Sequence, residues 1–282
     1  VEAGAKIKNI VNVLKKNKST LYSVPGGEHI SIGGAISANA IGKDSSKKIS
    51  CFGDGIISLE ILDEKGSVKI LKKSKNMNNY VGALGTTGLI LKARLKTKEI
   101  KSPNLYLEST ILKNFKEIKN ELSKKNDYQY IQVDPFFRKE NFAILFKANF
   151  IKSGKNLYKK INLQSYFLER IIFKISSFFI NNFTWRLFYK LFFIINNDKK
   201  SCIDLHNYHY SSKYKHMVPL ICRGGLYDYE ILIKKNFSKS MKKIVNFLKE
   251  NELWPIYIVI KKICIGTICF SLVHLPVKVI TV

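Results

Sequence analysis

Residues 25–43, PGGEHISIGGAISANAIGK, and residues 82–90, GALGTTGLI, decide how this chain is read. Both are rich in glycine and in small residues. Glycine lets a backbone approach another group closely and turn where other residues are strained. Successive backbone N–H groups left exposed in this way can cradle a pyrophosphate. The spacing is neither that of a P-loop, since no G-x-x-x-x-G-K-[ST] occurs, nor the G-x-G-x-x-G of a dinucleotide fold. Taken alone, Gly33-Gly34 and Gly85-x-x-Gly88 therefore fit two readings, tight turns in a β domain or a ligand cradle.

Around these stretches the periodicity is clear. Ile7, Ile10, Val11 and Leu14 follow helical spacing. Ile57, Leu59 and Ile61 alternate as a strand. The turn Asp63-Glu64-Lys65-Gly66 leads to a return strand opened by Val68 and Ile70, which predicts a hairpin. A further strand is predicted over 89–95. A boundary is placed near Lys101-Ser102-Pro103, giving a first domain over 1–100 and a second over 101–282. The second domain repeats one pattern. A strand at 105–111, a helix bearing Leu112, Phe115, Ile118 and Leu122, and strands at 128–133 and 142–150 form one β-α-β-β unit. A strand at 226–233, a helix bearing Met241, Ile244, Val245 and Leu248, and strands at 256–260 and 268–270 form another. The expected fold class is α+β, with an antiparallel sheet covered by helices.

Between the two units, residues 165–197 are dense in Phe and Ile. Arg170, Lys174, Arg186 and Lys190 interrupt them, so no run of ~18 uncharged residues exists to span a bilayer. An amphipathic helical pair is expected, packed on the rest of the protein or touching a membrane surface through an apolar face with a basic rim.

The 282 residues carry a net charge of +27. Only five of the 48 basic residues are Arg, and Lys, Asn and Ile are abundant, which is the usage of an AT-rich genome. Nucleic-acid readers lean on Arg for bidentate contacts, so nucleic acid is not the expected partner. Five scattered cysteines form no C-x-x-C pair and argue against a disulfide framework. No signal peptide is visible, and a cytoplasmic protein is expected, with a peripheral position at the inner face of the membrane open to it. His206, His209 and His216, near Cys202 and Asp204, read as loop histidines in preference to a metal site.

The order of motifs adds a more specific signal. After GGAISANAIGK come Cys51-Phe52-Gly53-Asp54, the hairpin, and the second glycine loop. This order resembles the FAD-binding domain of oxidases with the vanillyl-alcohol-oxidase-type (PCMH-type) fold, most closely the decaprenylphosphoryl-β-D-ribose oxidase and sugar-lactone oxidase group. The similarity covers about residues 1 to 97. It implies a partial PCMH-type domain followed by a substrate domain. It further implies that Gly26 and Gly27 sit on the diphosphate or ribityl chain of FAD. Ser31, Ile32, Gly33 and Gly34 would line flavin and pyrophosphate with backbone N–H groups. Ala38, Asn39, Ala40, Ile41 and Gly42 would wall the flavin ring, and Leu89 and Ile90 would meet the adenine side. The family's histidine is Ile41 here, which bars covalent flavin attachment at that position, so FAD is expected to bind non-covalently. Asp44, Ala83 and Leu84 are further departures.

In the second domain, the stretch from Gly224 to Glu230 resembles the family's G-[FL]-x-[QE]-Y-Q strand, and Val259-Ile260-Lys261 its V-[FL]-K strand. The resemblance thus implies substrate contacts at Asp228, Glu230 and Lys261, with Lys261 also catalytic. The family's upstream pyrophosphate loop and its C-terminal returning segment fall outside these residues, so the chain is expected to be a fragment. The implied activity is oxidation of a sugar hydroxyl, the sugar free or lipid-linked. Two alternatives stand beside it. One is a flavin- or sugar-binding module without turnover, suggested by Ile41. The other is a basic binder of anionic surfaces, whose affinity would fall steeply with salt.

Overall fold

In a computed structural model, residues 1–42, 51–72, 75–138, 142–151, 182–210, 227–253, 255, 257–264 and 267–274 are described. The fold class is α+β, and the chain divides into two units. The first unit comprises Val1–Leu105 with residues 150–151 and 203–210.

The first unit opens with helix α1 (Ile7–Lys16), which buries Ile7 and Val11 as its spacing predicts. Strand β1 (Ser19–Leu21) and the short helix α2 (Ile32–Ser37) follow. Next come β2 (Ile56–Leu62), β3 (Val68–Lys72), the single turn α3 (Lys75–Asn78) and β4 (Leu89–Leu95). β2 pairs antiparallel with both β3 and β4 in the order β3-β2-β4. The hairpin turn is held by Asp63, whose Oδ1 accepts from Lys65 N–H at 3.0 Å and Ser67 N–H at 2.9 Å. β5 (Thr97–Glu99) returns to pair with β1.

Two details differ from the expected alternation. Ile56, not Ile57, is buried with Leu59 and Ile61, and Ile57 is 37% exposed. The β2·β4 register shifts between Ile56 and Ser58, and an irregularity of one residue reverses which face a side chain takes. Val68 and Ile70 face outward because β3 is an edge strand on which Leu71, opposite Leu59, is the inward residue. The core gathers Ile7, Val11, Ile32, Ala35, Ile36, Leu59, Ile61, Ile90 and Ala93.

The second unit is built on a seven-stranded sheet. Its strands are β6 (Asn104–Leu112), β7 (Tyr128–Val133), β8 (Ala143–Phe150), β9 (Lys200–Asp204), β10 (Tyr227–Ile233), β11 (Tyr257–Cys264) and β12 (Thr267–His274). Their order is β10-β12-β11-β7-β8-β6-β9. The duplicated pattern read from the sequence is visible in this order. Each unit runs first strand, third strand, second strand, and the two second strands, β7 and β11, pair antiparallel at the middle.

Helices α4 (Phe115–Ser123) and α7 (Phe237–Glu250) supply Ile118, Leu122, Met241, Val245 and Leu248 to a core with Ile131, Val133, Leu145, Ile258 and Ile260. α4 starts at Asn114, whose side chain accepts from Glu117 N–H at 3.0 Å, a cap worth about 1 kcal/mol. Successive strand residues point to opposite faces. Accordingly Ile144 and Phe146 pack with Tyr189 and Phe193 of helix α5 (Asn182–Asn196) in a separate cluster. α5 is the described part of the Phe-rich segment; residues 165–181 lie outside the described residues. A short helix α6 (Leu205–His209) in the first unit completes the elements used below.

Candidate functional site

The two glycine-rich stretches meet in the first unit. The N-terminal residues lace them together: Ala3 N–H donates to the Leu91 carbonyl at 2.8 Å, and the Ala3 carbonyl accepts from Gly33 N–H at 2.8 Å. At its other end, α2 receives the second loop. Gly82 N–H donates to the Ile36 carbonyl at 3.0 Å, and Leu84 N–H to the Ser37 carbonyl at 2.9 Å. Thr86 and Thr87 hydroxyls brace the loop on the carbonyls of Ala83 and Asn79 at 2.7 and 3.1 Å.

The result is a cavity of about 530 Å³, lined by Ala3, Gly4, Gly33, Ser37, Gly85, Gly88, Leu89 and Ile90. This is within the range of ~300–1,000 Å³ usual for small-molecule sites. Half of the lining residues are glycine, and none is charged. Gly88 could be no other residue. Its φ is +139°, and a Cβ would stand 2.8 Å from the Leu62 carbonyl oxygen.

The available donors differ from those the resemblance implies. Ile32 N–H is used by the Ala5 carbonyl at 2.9 Å, Gly33 N–H by Ala3, and Gly34 N–H by the Ser31 hydroxyl oxygen at 3.1 Å. In this conformation these three amides cap α2 and hold the N-terminal segment, so none can donate to a phosphate. The Ile32 side chain is fully buried in the core. Among the described residues, no backbone carbonyl accepts from Gly4 or Gly85 N–H. The amides of these two lining residues are left available as donors.

Of the expected cofactor residues, Gly33, Leu89 and Ile90 line the cavity, whereas Gly26, Gly27, Ser31, Ile32, Gly34, Ala38, Asn39, Ala40, Ile41 and Gly42 do not. Asn39 has a structural task. Its φ is +45°, and its Oδ1 accepts from Gly53 N–H at 3.0 Å. Gly42 N–H donates to the Ser23 hydroxyl oxygen at 3.0 Å, tying the end of the first stretch to the core. Ala3, Gly4, Ser37, Gly85 and Gly88 were not singled out as contacts. Ser37, Gly85 and Gly88 lie within the two glycine-rich stretches, and the run Ala3-Gly4-Ala5 is the one sequence signal that could have located the N-terminal wall.

In the second unit, the expected substrate positions fall into one pattern. Asp228 pairs with Val273, which pairs with Tyr257; Glu230 pairs with Ser271, then Val259; Leu232 pairs with Cys269, then Lys261. Directly opposed residues share a face and alternate positions along a strand return to it. Positions 228, 230 and 261 therefore lie on one face. Val259 is opposite Gln132, whose Nε2 donates to the Tyr189 hydroxyl of α5 at 3.2 Å. Hence this is the face on which α5 packs, not the α4/α7 face. Glu230 is exposed and Lys261 half-buried; the Asp228 side chain lies outside the described residues.

Near α6, Asp204 caps the helix by accepting from His206 N–H at 2.8 Å and forms an ion pair with Lys15. Burial pushes the half-buried His206 below the usual imidazole range. His209 is buried, and His216 lies outside the described residues. Among the described residues, no group of three or more His, Cys, Asp and Glu is placed to hold a metal ion.

No protein-family model matches the chain, and no curated protein matches it. Solved structures do. A cholesterol oxidase from Brevibacterium sterolicum matches over 98% of this chain with a TM-score of 0.67 at 12% identity. A histidine-to-alanine variant of cholesterol oxidase from the same organism matches over 98% with a TM-score of 0.66 at 12% identity. The chain spans 63% of the length of each. At this identity the common property is the fold alone, and the likeness does not extend to the sugar-oxidising group of the resemblance.

Proposed function

We propose that this chain is part of an FAD-dependent oxidoreductase that oxidises a CH–OH group, with a sugar hydroxyl, free or lipid-linked, as substrate. The observation that carries the reading is the cavity in which two glycine-rich stretches, far apart in sequence, form one uncharged wall. Such a wall fits a flat ring and a diphosphate. The fold likeness to proteins named as cholesterol oxidases supports an oxidase acting on an alcohol.

In this reading, Gly4 and Gly85 donate their N–H groups to the diphosphate. Leu89 and Ile90 give apolar contact, and Ser37 offers the one side-chain hydroxyl of the lining. Bound non-covalently there, FAD supplies the acceptor for the hydride that leaves the carbinol carbon. On the sheet face of the second unit, Lys261 would donate to a sugar oxygen and orient it; the proton of the oxidised hydroxyl would pass to a base as the hydride leaves the carbon. Asp228 and Glu230, acidic where the resembling family has amides, add acceptors for neighbouring sugar hydroxyls.

The test is optical. The purified chain given FAD acquires flavin absorbance, and an oxidisable sugar added without air bleaches it. Lys261→Ala keeps the flavin but slows single-turnover bleaching tenfold or more, roughly the contribution of one positioned group; an unchanged rate removes Lys261 from the site. A chain that takes up no FAD overturns the reading. Ile41 favours one alternative, a binding module without turnover, and retained flavin that no sugar bleaches would establish it.

A further inference from the structure

Among the described residues, helix α5 packs on the sheet through one apolar face and carries exposed apolar side chains on another. Tyr189 and Phe193, 1% and 0% exposed, insert beside Phe136, Ile144 and Phe146. The Ser109 hydroxyl donates to the Asn196 carbonyl at the helix end, and Gln132 holds Tyr189, so the helix is fixed to the sheet. Outward, Phe183 is 75% exposed, Leu187 48%, Phe188 43%, Leu191 49%, Ile194 60% and Ile195 65%. At about 100° per residue, these six cover roughly 140° of continuous arc. Lys190 is exposed along one edge of the arc beside Arg186, whose guanidinium lies 5.0 Å from the centroid of the Phe136 ring, and Lys199 and Lys200 are exposed just past the helix end, after the exposed Asp198. The helix sequence contains no acidic residue.

We propose that α5 lies in the surface of an anionic lipid bilayer, its outer face in the acyl boundary and its cations among the headgroups. The inference is independent of the flavin reading. Charge and length select this occupant. The basic edge complements anionic headgroups, and the net charge of +27 attracts the chain to such a surface. The described fifteen residues of helix extend ~22 Å, and Tyr189 and Phe193 hold one side of them on the sheet, so the helix presents its outer face along the surface instead of crossing it. No helix among the described residues is long and apolar enough to cross a membrane. A large apolar moment beside Lys and Arg is the physical signature of interfacial helices.

The test uses the intact chain and two kinds of vesicle, phosphatidylcholine alone and phosphatidylcholine mixed with phosphatidylglycerol. The chain is expected to sediment with the mixed vesicles and not with phosphatidylcholine alone. The double substitution Leu187→Ser with Ile194→Ser leaves charge unchanged and removes two exposed apolar groups. It is expected to weaken vesicle binding roughly tenfold or more without lowering the melting temperature. Arg186→Gln with Lys190→Gln weakens binding and reduces its salt dependence. Equal sedimentation of wild type and the Leu187/Ile194 variant would mean that charge alone binds, and would overturn the proposal. So would no sedimentation with the mixed vesicles. Self-association in solution, abolished by the same two substitutions in a chain that ignores vesicles, would assign the face to a second copy and also overturn it.

Discussion

Replacing Gly88 by alanine isolates what the second glycine loop requires. A Cβ at this position would stand 2.8 Å from the Leu62 carbonyl oxygen and 3.1 Å from Tyr80 Cε1, at φ +139°. The carbonyl cannot retreat by itself, because Leu62 pairs with Leu89 on one side and Val68 on the other. Gly66 is the control. It has φ +74°, and nothing lies within 4 Å of the added carbon. Gly66→Ala thus incurs left-handed backbone strain alone, about 1–2 kcal/mol. Gly88→Ala incurs about 1–3 kcal/mol for a region that suits only glycine. Overlap with immovable backbone adds about 1–3 kcal/mol more. Each kcal/mol lowers the melting temperature by about 2–4 °C in a chain of this size. Melting followed by circular dichroism should therefore fall by a few degrees for Gly66→Ala and by about twice that or more for Gly88→Ala. FAD should raise the wild-type midpoint and leave that of Gly88→Ala unmoved, since the loop can no longer close on β2. Equal losses for the two variants would refute the claim that the Leu62 carbonyl, and not φ alone, fixes glycine at 88.

Three further outcomes follow from single residues. Asn39→Gly should destabilise less than Asn39→Ala in the same melts, although both lose the acceptor for Gly53 N–H, because φ is +45° there and alanine adds about 1–2 kcal/mol of strain. Asp63 is held below its usual pKa of 3.8 by Lys69 and by the Ser67 and Lys65 amides. A depressed carboxyl stabilises above its unfolded value and loses that contribution as pH falls through the folded one. The Ser67 amide resonance should accordingly hold its position down to pH values below the ordinary carboxylate range and shift only beneath it, and Asp63→Asn should abolish that shift. For His206, burial lowers the pKa below 6.5, so its contribution to stability is complete above that value and is lost as pH falls through the folded pKa. Its ring protons should titrate with a midpoint under 6.5, and His206→Gln should flatten the stability loss over that window.

What the sequence reveals depends on whether a residue's role is periodic. β4 and β7 occupy the ranges expected of them, and the helix bearing Met241 lies where i, i+3, i+4 spacing puts it, whereas the helix bearing Ile118 starts only at Phe115, because Leu112, expected in it, closes β6 ahead of the Asn114 cap. Alternation fails where pairing breaks it, as at Ile57, because a bulge is a property of two strands and leaves no mark in one. The site was legible as two glycine stretches but not as a contact map. Whether Gly33 N–H faces a ligand or the Ala3 carbonyl depends on where residues 1–5 run, and nothing in GGAIS records it. The same segment supplies Ala3 and Gly4 to the cavity wall, a role with no periodic signature.

The second unit shows why duplication of a β-α-β-β pattern leaves a face for chemistry. β10 and β11 each run antiparallel to β12, so they are parallel to one another and must be joined by a crossover, which α7 provides. Crossovers of this kind are right-handed, which fixes the face on which the helix lands. The first β-α-β-β repeat of this unit is the same pattern turned about the β7·β11 pair, so α4 lands beside α7, and the cores of the two repeats merge through Ile131, Val133, Ile258 and Ile260. Every residue one step out of phase with those four is directed to the other face. Gln132 and Val259 are such residues at the centre, and positions 228, 230 and 261 share their phase. α5 packs on that face at Ile144 and Phe146, in the β8 half of the sheet. A polar side chain on β10 or β11 at these positions is therefore kept out of the merged core by register alone. This explains how Lys261 persists in β11, where Ile258 and Ile260, in the opposite phase, are fully buried.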